Sequence, residues 1–417
     1  MQLTLKKGSL KRNIFFMLLG NGIFAFAQWL QISLISKYSS IDTLGFFTLA
    51  LGIISPVFMF TGLQLRTLII TDAESEHEFS TFFNLRILTS VLSLIIIVLI
   101  GVFLPNKELF PFLFLLSFQK ILEGLSELFN SKQQQQEKIE NLALSLSLKG
   151  ISIIFSIWLG LIVFQSLFIG LLLILFFYII ILFFNDYRNY KKEAPQKFTF
   201  KAPFHEIRKL IIKGLPLGIV LLVISLNANV SKYFLEAYCG TEKQAIYSSI
   251  SYILIIGLFI LDSLGQTFVP RLSKYYYNAE FYQFKKLTTT FVALSFFIGA
   301  CLYLFSLFFG DIALKFLFNE KISEYSVFLS NYLLVSILIF IASSLGYTLT
   351  AMGEFKVQPF INITILLVNI ILSFFLIEKY ELNGVIIGLG ACFSIQIIIT
   401  FVIIAKRLTK SKNKDLF

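Results

Sequence analysis

Long apolar stretches, separated by short polar segments, run along the chain from residue 13 to residue 405. Most approach the roughly 20 residues that an α-helix needs to cross about 30 Å of hydrocarbon. They lack the alternating pattern of a strand in a membrane barrel. The pattern therefore predicts twelve transmembrane helices. Their ranges are 13–35, 43–65, 87–104, 111–130, 141–164, 166–184, 211–235, 245–269, 288–309, 326–349, 358–378 and 383–405.

Composition supports an integral membrane protein. Of the 417 residues, 57% are hydrophobic and only 14% are charged, and the mean hydropathy is +0.82. Soluble domains carry about 25% charged residues, so a soluble fold is excluded. The three cysteines are far apart and the two histidines lie in polar connections, so the sequence predicts neither a disulfide framework nor a metal site.

Positive charge is distributed unevenly between the two sides of the predicted bundle. With the N-terminus inside, the inner connections hold 26 of the 35 Lys and Arg residues and the outer ones hold 7. The positive-inside rule therefore predicts that both termini are cytoplasmic. The net charge of +11 is explained by this topology, and no nucleic-acid partner is predicted.

The longest basic connection divides the prediction into two halves. We expect an N-terminal lobe at 1–184, a basic cytoplasmic linker at 185–210, a C-terminal lobe at 211–405 and a basic cytoplasmic tail at 406–417. Because each half starts on the cytoplasmic side, the two six-helix lobes would be parallel repeats about an axis along the membrane normal. The predicted fold class is thus an all-α membrane protein with two lobes around a central cavity.

Polar residues recur at helical spacing inside the predicted spans. Lys120, Glu123 and Glu127 lie three and four residues apart, so they share one helix face. Charged groups at this depth are costly and usually face water or a partner. Three other spans each carry a polar stripe. The first span has Asn21, Gln28 and Gln31, the fifth has Ser145, Lys149, Ser152 and Ser156, and the seventh has Ser225, Asn229, Lys232 and Glu236. Asp262 lies in the eighth span. These stripes indicate an aqueous interior, although hydrogen bonds that merely hold the bundle together are the alternative for each residue.

Several segments resemble one transporter family when they are read in order. They are "GNGIFAFAQWLQISLISKYSSIDTLGFFTLALGIISPVFMFTGLQLRTLIITD", "FNLR", "FQKILEGLSELFNSKQQQQEKIENLALSLSLKG", "KGLPLGIVLLVISLNANVSKYFLEAYCGTEKQAIYSS" and "LGQTFVPRLSKYY". Together they are similar to the polysaccharide-repeat flippases, of O-antigen and capsule type, within the multidrug/oligosaccharidyl-lipid/polysaccharide exporter superfamily. The resemblance covers nearly the whole chain.

The resemblance implies a transporter of the cytoplasmic (inner) membrane rather than an enzyme. Its substrate would be an undecaprenyl-diphosphate-linked oligosaccharide, moved from the inner to the outer leaflet for O-antigen, lipopolysaccharide or capsule synthesis. Membrane lipid and the polymerase and chain-length proteins of the same pathway are the expected partners. No cofactor is expected, and coupling to H⁺ or Na⁺ is left open.

The chemistry of the expected substrate suggests roles for the polar residues inside the spans. Sugar hydroxyls need hydrogen-bonding walls and a diphosphate needs cations. The predicted substrate-binding residues are Asn21, Gln28, Gln31, Lys120, Glu123, Lys149, Asn229 and Lys232, and the predicted ion-coupling residues are Glu123, Glu127 and Asp262. Two alternatives are a cation-coupled drug antiporter of the same superfamily and a multi-span polysaccharide polymerase or ligase. Short outer loops disfavour the polymerase, and the mixture of cations with acids disfavours the antiporter.

Overall fold

A computed structural model describes residues 10–72, 77–136, 138–193, 203–354 and 356–414. Regular structure in these ranges is helical throughout, which confirms the predicted all-α class. The α-helices are α1 (Leu10–Tyr38), α2 (Ile41–Thr61), α3 (Leu65–Thr71), α4 (Phe79–Phe103), α5 (Phe110–Gln135), α6 (Ile139–Trp158), α7 (Leu167–Ile181), α8 (Arg188–Glu193), α9 (Phe204–Tyr277), α10 (Phe281–Leu317), α11 (Glu320–Ser323), α12 (Ser326–Ala351) and α13 (Gln358–Lys414). Short π-helical stretches follow α6 at Leu159–Val163 and α7 at Leu182–Tyr187.

Ten helical stretches in the described ranges are long and apolar enough to cross a membrane. The chain is thus a multi-pass membrane protein, as its composition predicts. Two of the ten stretches, α9 with 74 residues and α13 with 57, far exceed what one crossing requires. The predicted number of twelve crossings stays a prediction.

Both long helices fold back on themselves where the sequence predicts a connection between spans. In α9 the break is Gly240, with φ of 83°, a left-handed value that glycine adopts without a Cβ clash. Lys232 Nζ lies 5.9 Å from the ring centroid of Tyr252, whereas residues 20 apart in a straight helix would be separated by about 30 Å. In α13 the break is Glu381, and a Cβ at Gly384 would lie only 2.2 Å from the carbonyl oxygen of Leu376. Each long helix is therefore a hairpin.

The chain divides into two compact units, Met1–Ser225 and Leu226–Phe417. In the first unit, α1 packs along α6, and a Cβ at Gly20 would lie 2.7 Å from Ala143 Cα. In the second unit, α12 packs against both α10 and α13. Small residues at such crossings let helix backbones approach closely inside a membrane.

The beginning of α9 belongs to the first unit because it packs on an apolar cluster there. The cluster contains Phe79, Phe129, Tyr190, Ile207 and Leu210, and the rings of Phe79 and Tyr190 stack at 4.4 Å. The described ends of the predicted linker, 185–193 and 203–210, are thus largely helical and anchored to the first unit. Residues 194–202 of that linker and 415–417 of the predicted tail lie outside the described residues. The predicted lobes and their repeat relationship stay predictions.

Candidate functional site

A cavity of about 650 Å³, lined by both charged and apolar residues, lies within the first unit. Helices α1, α2, α4, α5 and α6 contribute to it, together with the start of α3 and Leu221 of α9. Its charged lining residues are Arg66, Arg86, Lys120, Glu123, Glu127 and Lys149. Four cations face two carboxylates, so the wall carries an excess of positive charge.

The break between α2 and α3 brings the first of these arginines to the cavity. Gly62 ends α2, and Leu63 and Gln64 then adopt left-handed φ values of 48° and 51°. Gln64 Oε1 accepts a hydrogen bond from Thr67 Oγ1 at 2.5 Å, which supports the new helix. Because the chain changes direction here, Arg66 lies on the cavity wall.

Lys120 and Glu123 form an ion pair one turn apart on α5. Lys120 Nζ lies 2.7 Å from Glu123 Oε2. Glu123 Oε1 also accepts from Gln119 Nε2 at 3.0 Å and from the Tyr178 hydroxyl at 3.5 Å. Glu123 is therefore held by neighbours on both α5 and α7.

Glu127 lies between two arginines. Arg86 NH2 is 3.3 Å from Glu127 Oε2, and Arg66 NH1 is 4.0 Å from Glu127 Oε1. The Arg86 guanidinium packs directly on Gly124, where a Cβ would come within 2.2 Å of NH2. It also approaches Gly62, where a Cβ would be 3.1 Å from NH1. Two glycines thus make room for the guanidinium.

Lys149 leads from the cavity into a buried polar group behind it. Its Nζ donates to Ser126 Oγ and lies 3.7 Å from Asp186 Oδ2. Ser126 in turn donates to Asp186, and Asn130 donates to Ser126 at 3.2 Å. The Asp186 side chain is fully buried, and it also accepts from Asn185 Nδ2 at 2.8 Å. A buried charge is tolerated when it is paired and hydrogen-bonded in this way.

The structure brings five of the predicted residues together and leaves the others elsewhere. Asn21, Lys120, Glu123, Glu127 and Lys149 line the cavity. The remaining predicted residues, which are not among its lining, are Gln28, Gln31, Asn229, Lys232 and Asp262. Their roles in substrate binding or ion coupling stay predictions.

Each residue outside the lining has its own surroundings. Gln31 is buried on α1, and its Nε2 has no hydrogen-bond partner within the described ranges. Asp262 accepts a hydrogen bond from the Tyr347 hydroxyl at 2.5 Å. Glu236, which lies on the same predicted polar stripe as Lys232, accepts from Thr241 at 3.0 Å. Lys232 and Asn229 lie on the first arm of the α9 hairpin, and Asn229 is buried there.

Sequence reasoning missed Arg66, Arg86 and Asp186. The two arginines are the first and last residues of the connection between the second and third predicted spans, so the sequence shows them only as positive charges on the inner side. Asp186 falls at the start of the predicted basic cytoplasmic linker. A signal was available for Arg86, because Gly124 lies between the predicted cavity residues Glu123 and Glu127 and marks a close approach. No comparable signal pointed to Asp186.

Comparison with known proteins decides the family. Residues 10–276 match the family described as "Polysaccharide biosynthesis protein". The chain belongs to this family. A Staphylococcus aureus protein named "Capsular polysaccharide biosynthesis protein CapF" is 30% identical over 385 residues, covering 89% of this chain and 93% of that protein. The family resemblance predicted from the sequence is confirmed.

Two solved structures show the fold. One is an inward-facing multidrug resistance MATE family transporter of the MOP superfamily, with a TM-score of 0.75 at 14% identity, covering 95% of this chain and 96% of that one. The other is the lipid II flippase MurJ in an inward closed conformation, with a TM-score of 0.75 at 17% identity, covering 94% and 87%. The fold is one that a transporter and a flippase share.

Proposed function

We propose that this protein is a flippase for lipid-linked oligosaccharides, carrying undecaprenyl-diphosphate-linked repeat units from the inner to the outer leaflet. The observation that carries the proposal is the cavity in the first unit, whose four cations outnumber its two lining carboxylates and the Asp186 carboxylate behind Lys149. An amphiphile with a diphosphate and a sugar presents negative charge and hydroxyl groups. Kinship with a capsular polysaccharide biosynthesis protein and a fold shared with a lipid II flippase support this substrate class.

The physical barrier to such transport lies in the head group. The lipid tail can remain in hydrocarbon, while the diphosphate must leave water. Its two negative charges favour movement outward by roughly 4 to 5 kcal/mol per 100 mV of inside-negative potential. The potential can therefore drive export without an ion gradient, and H⁺ or Na⁺ coupling would serve to reset the empty carrier.

A drug antiporter is the second candidate, because a multidrug resistance transporter shares the fold with the same TM-score. Such a protein would bind organic cations, which need an acidic and aromatic pocket. Here Arg66 and Arg86 share a single carboxylate, Glu127, so the cavity keeps an excess of positive charge that would repel a cationic drug. The charge of the cavity therefore favours the anionic substrate.

The deciding experiment uses a deletion strain. We expect undecaprenyl-linked oligosaccharide to accumulate on the inner leaflet, and wild-type protein to restore surface glycan. Lys120→Ala should fail to restore it at normal protein abundance, because the substitution removes one cavity cation. Lys107→Ala is the matched control, since Lys107 lies just before the same helix and donates to Val102 O outside the cavity. Normal lipid-linked oligosaccharide distribution in the deletion strain would reject the flippase.

The inner membrane and cytoplasmic termini are part of the same proposal. They rest on the 26 to 7 distribution of positive charges between the predicted sides. A cysteine placed at Asn189 on α8 should resist a membrane-impermeant thiol reagent in intact cells and react after permeabilisation. Labelling in intact cells would contradict the predicted orientation and place this segment outside the cell.

A further inference from the structure

We propose that Arg66 and Arg86 form a diphosphate site and that the carboxylate of Glu127 occupies it in the empty protein. Incoming phosphate would displace Glu127 from the two guanidinium groups. The identity of the natural ligand rests on the proposed function, whereas the anion site itself can be tested separately. Neither arginine was a candidate from the sequence.

The first argument is the position of Glu127. Its two oxygens face different arginines, Arg86 at 3.3 Å and Arg66 at 4.0 Å. A carboxylate and a phosphate present similar pairs of oxygens to a guanidinium fork. The place that Glu127 fills is therefore one that a phosphate group can fill.

The second argument is that Arg86 is enclosed and Arg66 is held by a hydrogen bond, while the Glu127 carboxylate is the more exposed partner. The Arg86 side chain is only 11% exposed and lies against Gly124, whereas the Glu127 side chain is 43% exposed. Arg66 is further held by a 3.0 Å hydrogen bond from its NH2 to Gln134 Oε1. When Glu127 leaves, its carboxylate can be solvated in the cavity.

The third argument comes from the other two acid–base pairs at the same cavity. Glu123 is tied to Lys120 at 2.7 Å and accepts further bonds from Gln119 and Tyr178. Asp186 is fully buried behind Lys149. Glu127 is the most exposed of the three acids, and its two ion-pair contacts, at 3.3 and 4.0 Å, are longer than the one of Glu123, so it is the acid that an anion displaces most readily.

Charge also favours the exchange. A diphosphate diester carries two negative charges and a carboxylate carries one, so two guanidinium groups are neutralised more completely by the diphosphate. A desolvated wall strengthens this preference, because attraction between charges grows as the local dielectric constant falls. Until phosphate binds, the Glu127 carboxylate compensates the charge of the two arginines.

The test is calorimetric titration of the full-length protein, purified in detergent, with a soluble short-chain dialkyl diphosphate. Wild-type protein should bind it, and Glu127→Gln should bind it about tenfold more tightly because the competing carboxylate is gone. Arg86→Lys should bind about tenfold more weakly, since lysine keeps the charge but loses the fork. A dialkyl monophosphate should show a smaller gain in Glu127→Gln, because it presents one phosphate group to two arginines.

Two acid-to-amide variants serve as matched controls. Glu140→Gln removes one negative charge from α6 beside Arg12, outside the cavity lining, and should leave affinity at the wild-type value. Glu123→Gln removes one from inside the cavity but beside Lys120, and should raise affinity less than Glu127→Gln does. Size-exclusion profiles check that each variant is folded.

Each outcome decides the inference. Equal affinity of wild type, Glu127→Gln and Glu140→Gln would overturn the displacement, and absence of binding in both wild type and Glu127→Gln would overturn the anion site. Either result leaves the deletion-strain experiment to judge the flippase on its own. If the affinities follow the predicted ranking but the deletion strain has normal lipid-linked oligosaccharide, the anion site stands and the flippase is rejected.

Discussion

The two units bury different kinds of polar group. The first buries the charged pair Lys149 and Asp186 and encloses most of Arg86. In the described part of the second unit, the fully buried polar residues are all neutral, and the charged residues Lys232 and Glu236 are only partly buried. There Asn369 Nδ2 donates to Asn227 Oδ1 at 2.8 Å, and Ser373 donates to Asn369 Oδ1 at 3.1 Å.

The difference distinguishes polar groups that hold helices together from polar groups that could bind a ligand. Neutral hydrogen bonds between helices contribute about 0.6 kcal/mol each in a membrane, which is enough to align helices. Burying an ion costs several kcal/mol before its partner offsets the cost, so a buried ion pair is an inefficient way to hold helices together. The charges of the first unit are therefore better explained by binding of a charged ligand than by helix packing.

The largest effect is expected at the buried pair. Asp186→Ala should destabilise the protein by roughly 3–5 kcal/mol, because Lys149 would be left buried without its counter-ion. Asn369→Ala in the second unit should cost only about 1 kcal/mol. Thermal unfolding in detergent, followed by loss of the monodisperse peak, compares the two. Equal losses would remove the distinction between the units.

A double variant sharpens this test. Replacing Lys149 by Met and Asp186 by Leu removes both charges together, and stability should return to near the wild-type value. Export should remain impaired, because a cavity cation has been lost. Recovery of both stability and export would show that the pair only holds the helices.

The next effect concerns the room that glycine makes for Arg86. Gly124→Ala would put a methyl group 2.2 Å from the present position of Arg86 NH2, so the guanidinium must shift. We expect surface glycan to fall about tenfold in the complementation assay, with little loss of stability, because alanine favours a helix by up to about 1 kcal/mol over glycine. Gly22→Ala is the matched control, since nothing lies within 4 Å of its added Cβ. Equal export by the two variants would argue against a fixed Arg86.

A smaller effect is expected at the two hairpin turns of the second unit. Gly240 and Glu381 both have positive φ, 83° and 51°, but only one of them is a glycine. Gly240→Ala should lower stability by about 1–3 kcal/mol through backbone strain, whereas Glu381→Gly should relieve strain of the same order. The relief is reduced by loss of the ion pair with Lys243, a partly exposed pair worth about 0.5 kcal/mol.

Glu381→Ala provides the control for that ion pair. It removes the carboxylate but keeps the Cβ, so it should be less stable than Glu381→Gly. Thermal unfolding of the three variants in one detergent gives the ranking. A Glu381→Gly protein no more stable than Glu381→Ala would mean that the turn is not strained.

The sequence predicts the helices better than it predicts the cavity. Spans are visible because each must satisfy its own backbone in lipid, which requires about 20 apolar residues in a row. The breaks at Gly240 and Glu381 also fall where connections between spans were predicted. The face shared by Lys120, Glu123 and Glu127 follows from helical spacing alone, and all three line the cavity.

What the sequence could not predict depends on contacts between distant segments. Arg86 reaches the cavity only because α4 packs beside α5 at Gly124. Asp186 is buried because the π-helical stretch after α7 continues the helix past the predicted membrane boundary. Periodicity places a residue on a face of its own helix, but it does not say which neighbour that face meets.

The smallest effect is expected at Lys232, which the sequence placed among the substrate residues. Its ammonium lies 5.9 Å from the ring centroid of Tyr252, so it has a partner in the second arm of its own hairpin, and it is not among the residues that line the cavity in the first unit. If Lys232 meets the diphosphate at a later stage of transport, Lys232→Ala should lower export by roughly threefold, about the value of one weak cation–π or ionic contact. Lys232→Arg should stay near wild type, because arginine keeps the charge, stacks on the ring and grips phosphate.

Lys243→Ala is the control, since it removes the same charge from the same hairpin at the partly exposed pair with Glu381. Surface glycan that is equal in wild type, Lys232→Ala and Lys232→Arg would take Lys232 out of the transport path and leave the charged chemistry to the first unit.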